Sequence, residues 1–187
     1  MGRLYSKESE AGWQVIDLDF PALAERSHAL AVEKGWWPGI MVTSDRIDEA
    51  VTLIASELFE ALDEYRNGVP LAEIRYSETG KPEGYVVELA DVIIRCADLA
   101  GRLCMADKVH LADKRFDDEP VILSPVRMVR IAAEHALVTH TPIGYVDDTV
   151  AIVCMHCDAL GLPLAEAIEI KHAYNRTRPH RHGGKVI

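Results

Sequence analysis

The sequence predicts an all-α protein, a helical bundle, and three observations carry that expectation. Apolar residues Ile47, Val51, Ile54, Leu58, Leu62 and Tyr65 recur at spacings of three and four, the period of one helix face. Between Val86 and Ala100 every residue is apolar except Glu88, Asp91, Arg95 and Asp98, which also fall three and four apart. Start and stop signals such as Gly35, Asn67-Gly68 and Pro179 cut the chain into helix-length pieces. At 187 residues, 49% hydrophobic and 27% charged, the chain can build one ordinary globular core.

The first helix is expected to start near Asp19 and Pro21, run through LAERSHALAVEK and stop at Gly35. The second is capped by Thr43 or Ser44 and ends at Asn67-Gly68. Residues 68–83 hold Pro70, Gly80 and Pro82 and read as a loop. The third helix runs from about Gly84 to Gly101, a short fourth lies near 105–115, and a charged connector covers 112–120. Ser124-Pro125 opens a fifth that runs to about His140. Another spans roughly 145–160, and the last runs from Pro163 to about Arg178, where Pro179 stops it before the tail HRHGGKVI.

An internal echo links two of these helices. GYVVELADVIIRCADLAG begins at Gly84 and GYVDDTVAIVCMHCDALG begins at Gly144, sixty residues later without a gap. The echo reads as a degenerate duplication of a helix pair, with Glu134 facing Glu57 upstream. The alternative is two helices of similar composition. In the second copy Glu88 becomes Asp148, Asp91 becomes Ala151 and Glu60 faces Leu137, so the expectation there is packing scaffold.

Composition excludes several roles. A formal net charge of −10 argues against a duplex-nucleic-acid binder, which needs a basic stripe. No segment has the long apolar run of a membrane helix, and MGRLYSKESEAGW lacks the apolar core of a signal peptide, so the expected location is cytoplasmic. Cys154 and Cys157 form a C-x-x-C without a second pair, in a segment that reads as an apolar helix. A buried reduced pair is therefore expected rather than a zinc site. His135, His140 and His156 form no coherent ligand set and read as structural.

The chemistry points to two acidic doublets. Glu57 with Glu60 and Glu88 with Asp91 are each three apart, so each pair shares one helix face. Packed side by side, the two helices would converge four carboxylates, a cluster that calls for divalent cations. Four hard oxygen donors suit Mg²⁺, with Mn²⁺ as the alternative, rather than zinc. Glu64 and Asp98 extend the stripes and are expected at the surface or behind the site. Lys171, Asn175 and Arg178 are spaced four and three, one cationic face of the last helix, as a triphosphate requires. For Lys185 and His182 in the tail two readings stand: closure over phosphates, or a solvated basic end. Trp37, or its neighbour Trp36, is a candidate for stacking on a base, with a core or interface anchor as the alternative.

These motifs resemble the MazG-like branch of the all-α NTP pyrophosphatases. That superfamily is marked by E-x-x-E on one helix and E-x-x-D on the next, here Glu57/Glu60 and Glu88/Asp91, often with K-x-x-x-N later, here Lys171 and Asn175. The matching pieces cover about residues 21–104 and 161–185. Two departures are visible: Ser56 stands where the family commonly has another Glu, and 105–160 is longer than a minimal member needs. The resemblance implies one MazG-like domain over 1–187. Within it lie a metal-bearing unit at 21–116, a second unit with the phosphate-binding helix at 120–178, and a basic tail at 179–187.

The resemblance further implies a Mg²⁺-dependent pyrophosphohydrolase that cleaves a nucleoside triphosphate to its monophosphate and pyrophosphate, working as a homo-oligomer, a dimer. Glu57, Glu60, Glu88 and Asp91 would be metal ligands, with Glu57 or Glu60 orienting or deprotonating water. Lys171, Asn175, Arg178, Lys185 and Trp37 would hold substrate. The rival readings are a dUTP- or dCTP-specific hydrolase of the same superfamily and a catalytically silent nucleotide-binding or assembly module. A zinc-binding regulator using Cys154 and Cys157 stands third.

Overall fold

The computed structural model describes residues 18–39, 41–109, 124–138 and 141–184. The connector at 112–120, His140 and Lys185 lie outside the described residues, as does all but the start of the expected fourth helix. The protein is mostly helical: α1 (Phe20–Glu33), α2 (Ser44–Arg66), α3 (Tyr85–Arg102), α4 (Pro125–Val138), α5 (Pro142–Leu160) and α6 (Leu164–Thr177).

Capping explains the boundaries. Asp19 Oδ1 accepts from Ala22 N–H at 3.1 Å, and Pro21 sits in the first turn of α1, where its missing N–H costs nothing. Thr43, the first of the two expected caps, accepts from Arg46 N–H and opens α2. Thr141 does the same for α5, which therefore starts at Pro142, three residues before its expected beginning. Gly161 closes α5 in the left-handed conformation.

Two findings correct the sequence reading. The stretch 68–83 is not plain loop: Arg75–Tyr76 (β1) and Pro82–Glu83 (β2) pair antiparallel around a turn at Ser77–Gly80. Two-residue strands give no periodicity to read. Around 105–115 the described part is one 3₁₀ turn, Ala106–Lys108. The echoed segments also begin differently. Gly84 caps α3 at φ +133°, where a Cβ would overlap the Glu73 carbonyl, whereas Gly144 lies inside the first turn of α5.

The architecture centres on α3, which packs against α1, α2, α5 and α6, while α4 bridges α2 and α5. Thirteen of its eighteen residues are buried, among them Tyr85, Leu89, Ile93 and Leu99. Only a helix covered on every side can be apolar on every side, so its few charged residues must face another element rather than water. Tyr85 Oη pairs with His156 of α5 at 2.8 Å inside this core, which makes His156 structural. Cys154 and Cys157 are buried free thiols. Burial pushes Cys154 up to about 12 and Cys157 well above its ordinary value, which disfavours the thiolate a zinc ion needs.

Close approach of α1 to α3 depends on Gly101, where a Cβ would lie 2.8 Å from both the Ala24 carbonyl and His28 Cβ. Overpacking of this kind costs about 1–3 kcal/mol. Gly101→Ala is expected to lose that much stability in urea unfolding, and an unchanged midpoint would show that the two helices separate freely.

Candidate metal and phosphate site

The polar stripe of α3 faces a cleft of about 140 Å³ between α2, α6 and the β-ribbon. From α2 come Glu57 and Glu60, and from α3 Glu88, Asp91 and Arg95; α6 supplies Lys171, the ribbon turn Lys81, and the segment after α6 Arg178 and His182. Carboxylate oxygens of Glu57, Glu60 and Glu88 lie within 4.8 Å of one another. Glu57 and Glu88 are buried and Glu60 is exposed. Asp91 lines the same cleft outside this trio, and its carboxylate is engaged by a cation.

That cation is Lys171. Its Nζ lies 2.8 Å from Asp91 Oδ2 and 3.5 Å from Glu88 Oε2, on a side chain only 2% exposed. The sequence places Lys171 on a cationic face of the last helix; the structure lodges it among the acids. A buried ammonium needs this company, since desolvation of a lone charge costs several kcal/mol. Burial opposes its charge, yet Asp91 and Glu88 outweigh burial and raise its pKa. Arg95, which the sequence shows on the stripe without assigning it a role, donates through Nε to Glu57 Oε1 at 2.7 Å. Its spacing of four from Asp91 was the available signal.

Compensation is incomplete. Burial pushes the Glu88 carboxyl up to about 7, with Lys171 pulling it down and Asp91 pushing it further up. Burial also raises Glu57 against the pull of Arg95, and Asp91 and Glu60 add to the rise. Each carboxylate thus holds a proton more readily than a free carboxylate does, and another positive charge nearby would favour its ionised form.

A smaller cavity of about 80 Å³ adjoins the cleft and shares Trp36, Asp91, Arg95, Arg178 and His182 with it. Its far wall includes Ser27 of α1 and Asn175 of α6. Ser27 Oγ and Asn175 Oδ1 are both buried without a hydrogen-bond partner among the described residues, an arrangement that costs stability until something bonds them. Trp36 lines the cleft, this cavity and a third cavity of about 70 Å³ beside it. Trp37 lines only the third of these, and its Nε1 donates to Asp98 at 2.8 and 3.0 Å while Arg102 lies over its ring. Trp37 is therefore an anchor for the loop after α1, and Trp36 is the tryptophan beside the carboxylates.

The other acidic candidates sit behind the site. Asp98 accepts from Trp37 and pairs with His28 Nδ1 at 2.8 Å. Glu64 pairs with Arg75 at 2.7 Å and ties the ribbon to α2. In the second unit Asp148 pairs with His135 and Glu134 with Arg130; among the described residues no metal-like cluster forms there.

No family model, curated protein or solved structure matches this chain.

Two outcomes follow from the buried charges. Removing one partner of a buried pair costs about 3–5 kcal/mol; Lys171→Met is expected to lose that much in EDTA and to recover part of it in Mg²⁺, read from thermal midpoints. Glu88 holds its proton more tightly folded, at about 7, than unfolded, at its ordinary 4.5. Stability without divalent cations should therefore fall as pH rises from about 4.5 to about 7 and then level, with Glu57 adding the same sign. Urea midpoints across that range would show it, and Glu88→Gln should flatten the slope.

Proposed function

We propose that this protein is a divalent-cation-dependent pyrophosphohydrolase that cleaves nucleoside triphosphates to monophosphates and pyrophosphate. One observation supports it above the rest: three converging carboxylate oxygens share a cleft with Lys81, Lys171 and Arg178. Acids alone would suggest only a cation, and bases alone only an anion. Both together suit a metal–polyphosphate.

The residues fit Mg²⁺ or Mn²⁺. All the converging donors are carboxylate oxygens, the hard ligands these ions take, and among the described residues no thiol or imidazole joins the three. Glu57, Glu60 and Glu88 would hold the ion, with Asp91 adjoining. Such an ion supplies Lewis acidity, drawing charge from phosphate oxygens and acidifying water.

The chain's own groups do the remaining work. Arg178 and Lys81 bind phosphate oxygens, and Lys171 offsets the negative charge that Asp91 and Glu88 bring into a buried setting. Glu60 is the better placed base of the two candidates, because Arg95 engages Glu57 whereas no cation pairs with Glu60 among the described residues. Water attacks the α-phosphorus, the α–β anhydride bond breaks, pyrophosphate leaves, and the water's proton passes to the carboxylate. Trp36 offers a ring for the base, and Ser27 and Asn175 offer the unpaired polar atoms that read its edge.

A second reading has one observation in its favour. Lys171 and Arg95 already pair with Asp91, Glu88 and Glu57, which suits a catalytically silent module that binds nucleotides. Turnover separates the two. Pyrophosphate release from a panel of NTPs and dNTPs in Mg²⁺, abolished by EDTA, is expected to fall about a hundredfold or more in Glu60→Gln and Asp91→Asn. Nucleotide binding without release would leave the silent module as the account. Ser27→Ala is expected to change the ranking of bases across that panel while leaving the metal requirement intact; an unchanged ranking would remove Ser27 from base recognition.

A further inference from the structure

Helices α1 and α6 end side by side and cap one another. The last carbonyls of a helix lack partners within it. Lys34, just past α1, donates from Nζ to the Arg176 carbonyl in the last turn of α6 at 2.8 Å. In return the Arg181 N–H donates to the Lys34 carbonyl at 2.8 Å, and Arg181 Nε donates to the Gly35 carbonyl at 3.2 Å. The contact is close. Gly35 has φ +82°, and a Cβ there would overlap the His180 imidazole.

The segment that makes this contact has an unfavourable backbone. Arg181 and His182 hold φ of +46° and +49°, the left-handed region that residues with a Cβ seldom occupy. Such conformations persist where the surroundings fix them. What they present is relevant to the cleft. His182 meets Trp36 edge-on at 5.0 Å between ring centres, and Trp36, His182 and Arg178 all line the cleft. Arg181 is not among the cleft-lining residues. It acts one step away.

We propose that Arg181 is a positioning residue: by bridging the carbonyls at the end of α1, it fastens the C-terminal turn onto the Trp36 loop and so fixes Arg178, His182 and Trp36 for a polyphosphate. The proposal rests on the phosphate-cleft reading and extends it to how the chain closes that cleft. With the turn fastened, an incoming polyanion meets arranged groups instead of having to order a loose end. Because these groups hold phosphate in ground state and transition state alike, their loss should appear in KM and leave kcat nearly unchanged.

Arg181→Ala and Gly35→Ala in the full chain test this, the first by removing the side-chain bridge and the second by straining the φ +82° backbone that presents the Gly35 carbonyl and displacing the His180 ring packed on it. Each is compared with wild type in Mg²⁺ by dNTP kinetics, by calorimetric binding of inorganic tripolyphosphate, and by amide hydrogen exchange over 178–184. The expected result is a rise of about tenfold or more in KM and in tripolyphosphate Kd, kcat within about threefold, and faster exchange confined to the turn. Arg181→Lys, which keeps a donor, should recover part of the affinity. Faster exchange with wild-type KM and Kd would overturn the proposal, and so would unchanged exchange in both variants. If wild type releases no pyrophosphate but tripolyphosphate binding still weakens in the variants, the hydrolase reading fails and the positioning role stands. If wild type binds no tripolyphosphate with or without Mg²⁺, the positioning role falls.

Discussion

Everything at this site depends on how negative charge is kept on a helix that the core surrounds. Helix α3 is covered by four other helices, yet it carries Glu88 and Asp91 toward its interior neighbours. Lys171 answers that problem by lodging its ammonium against both. The same contact pins α6 to α3, just as the Arg95–Glu57 pair pins α3 to α2. Charge compensation and helix packing are therefore one interaction seen from two sides. Losing a partner would leave a desolvated charge, which costs more than the pair itself contributes.

The balance of charges bears on the proposed chemistry. Glu57, Glu60, Glu88 and Asp91 face Lys81, Arg95, Lys171 and Arg178 across one cleft, four formal charges of each sign. A lone divalent cation or a lone polyphosphate would upset that balance in a setting partly shielded from water, where uncompensated charge is expensive. The two together leave less uncompensated charge than the polyphosphate alone. On the proposed reading, cation and polyanion favour each other's entry, and the orphaned Ser27 and Asn175 atoms gain partners only when a substrate fills the adjoining cavity.

Local features were legible and contacts between distant segments were not. The 3–4 spacing of α2 and the polar stripe of α3 gave both helices to within a residue or two, because amphipathic periodicity is a property of neighbours in sequence. The same spacing told which carboxylates share a helix face. It could not tell that Lys171 reaches over to Asp91, eighty residues away, nor that Arg95 turns to Glu57. Trp36 and Trp37 are adjacent and chemically alike; Asp98, on another helix, is what ties one down and leaves the other beside the cleft. The β-ribbon leaves no mark in the sequence because two-residue strands have no period, and it is the ribbon turn that brings Lys81 to the site.

By itself, then, the sequence determined the all-α architecture, most helix limits, and the pairing of acidic residues along single helix faces. These follow from caps, breakers and periodicity, which act over a few residues. Tertiary structure alone decided that Glu57 and Glu88 are buried, which cations pair with Glu57, Glu88 and Asp91, and that the turn at Arg181 meets the end of α1. Those outcomes depend on distances between segments far apart in the chain, where desolvation and Coulomb attraction act and no local pattern records them.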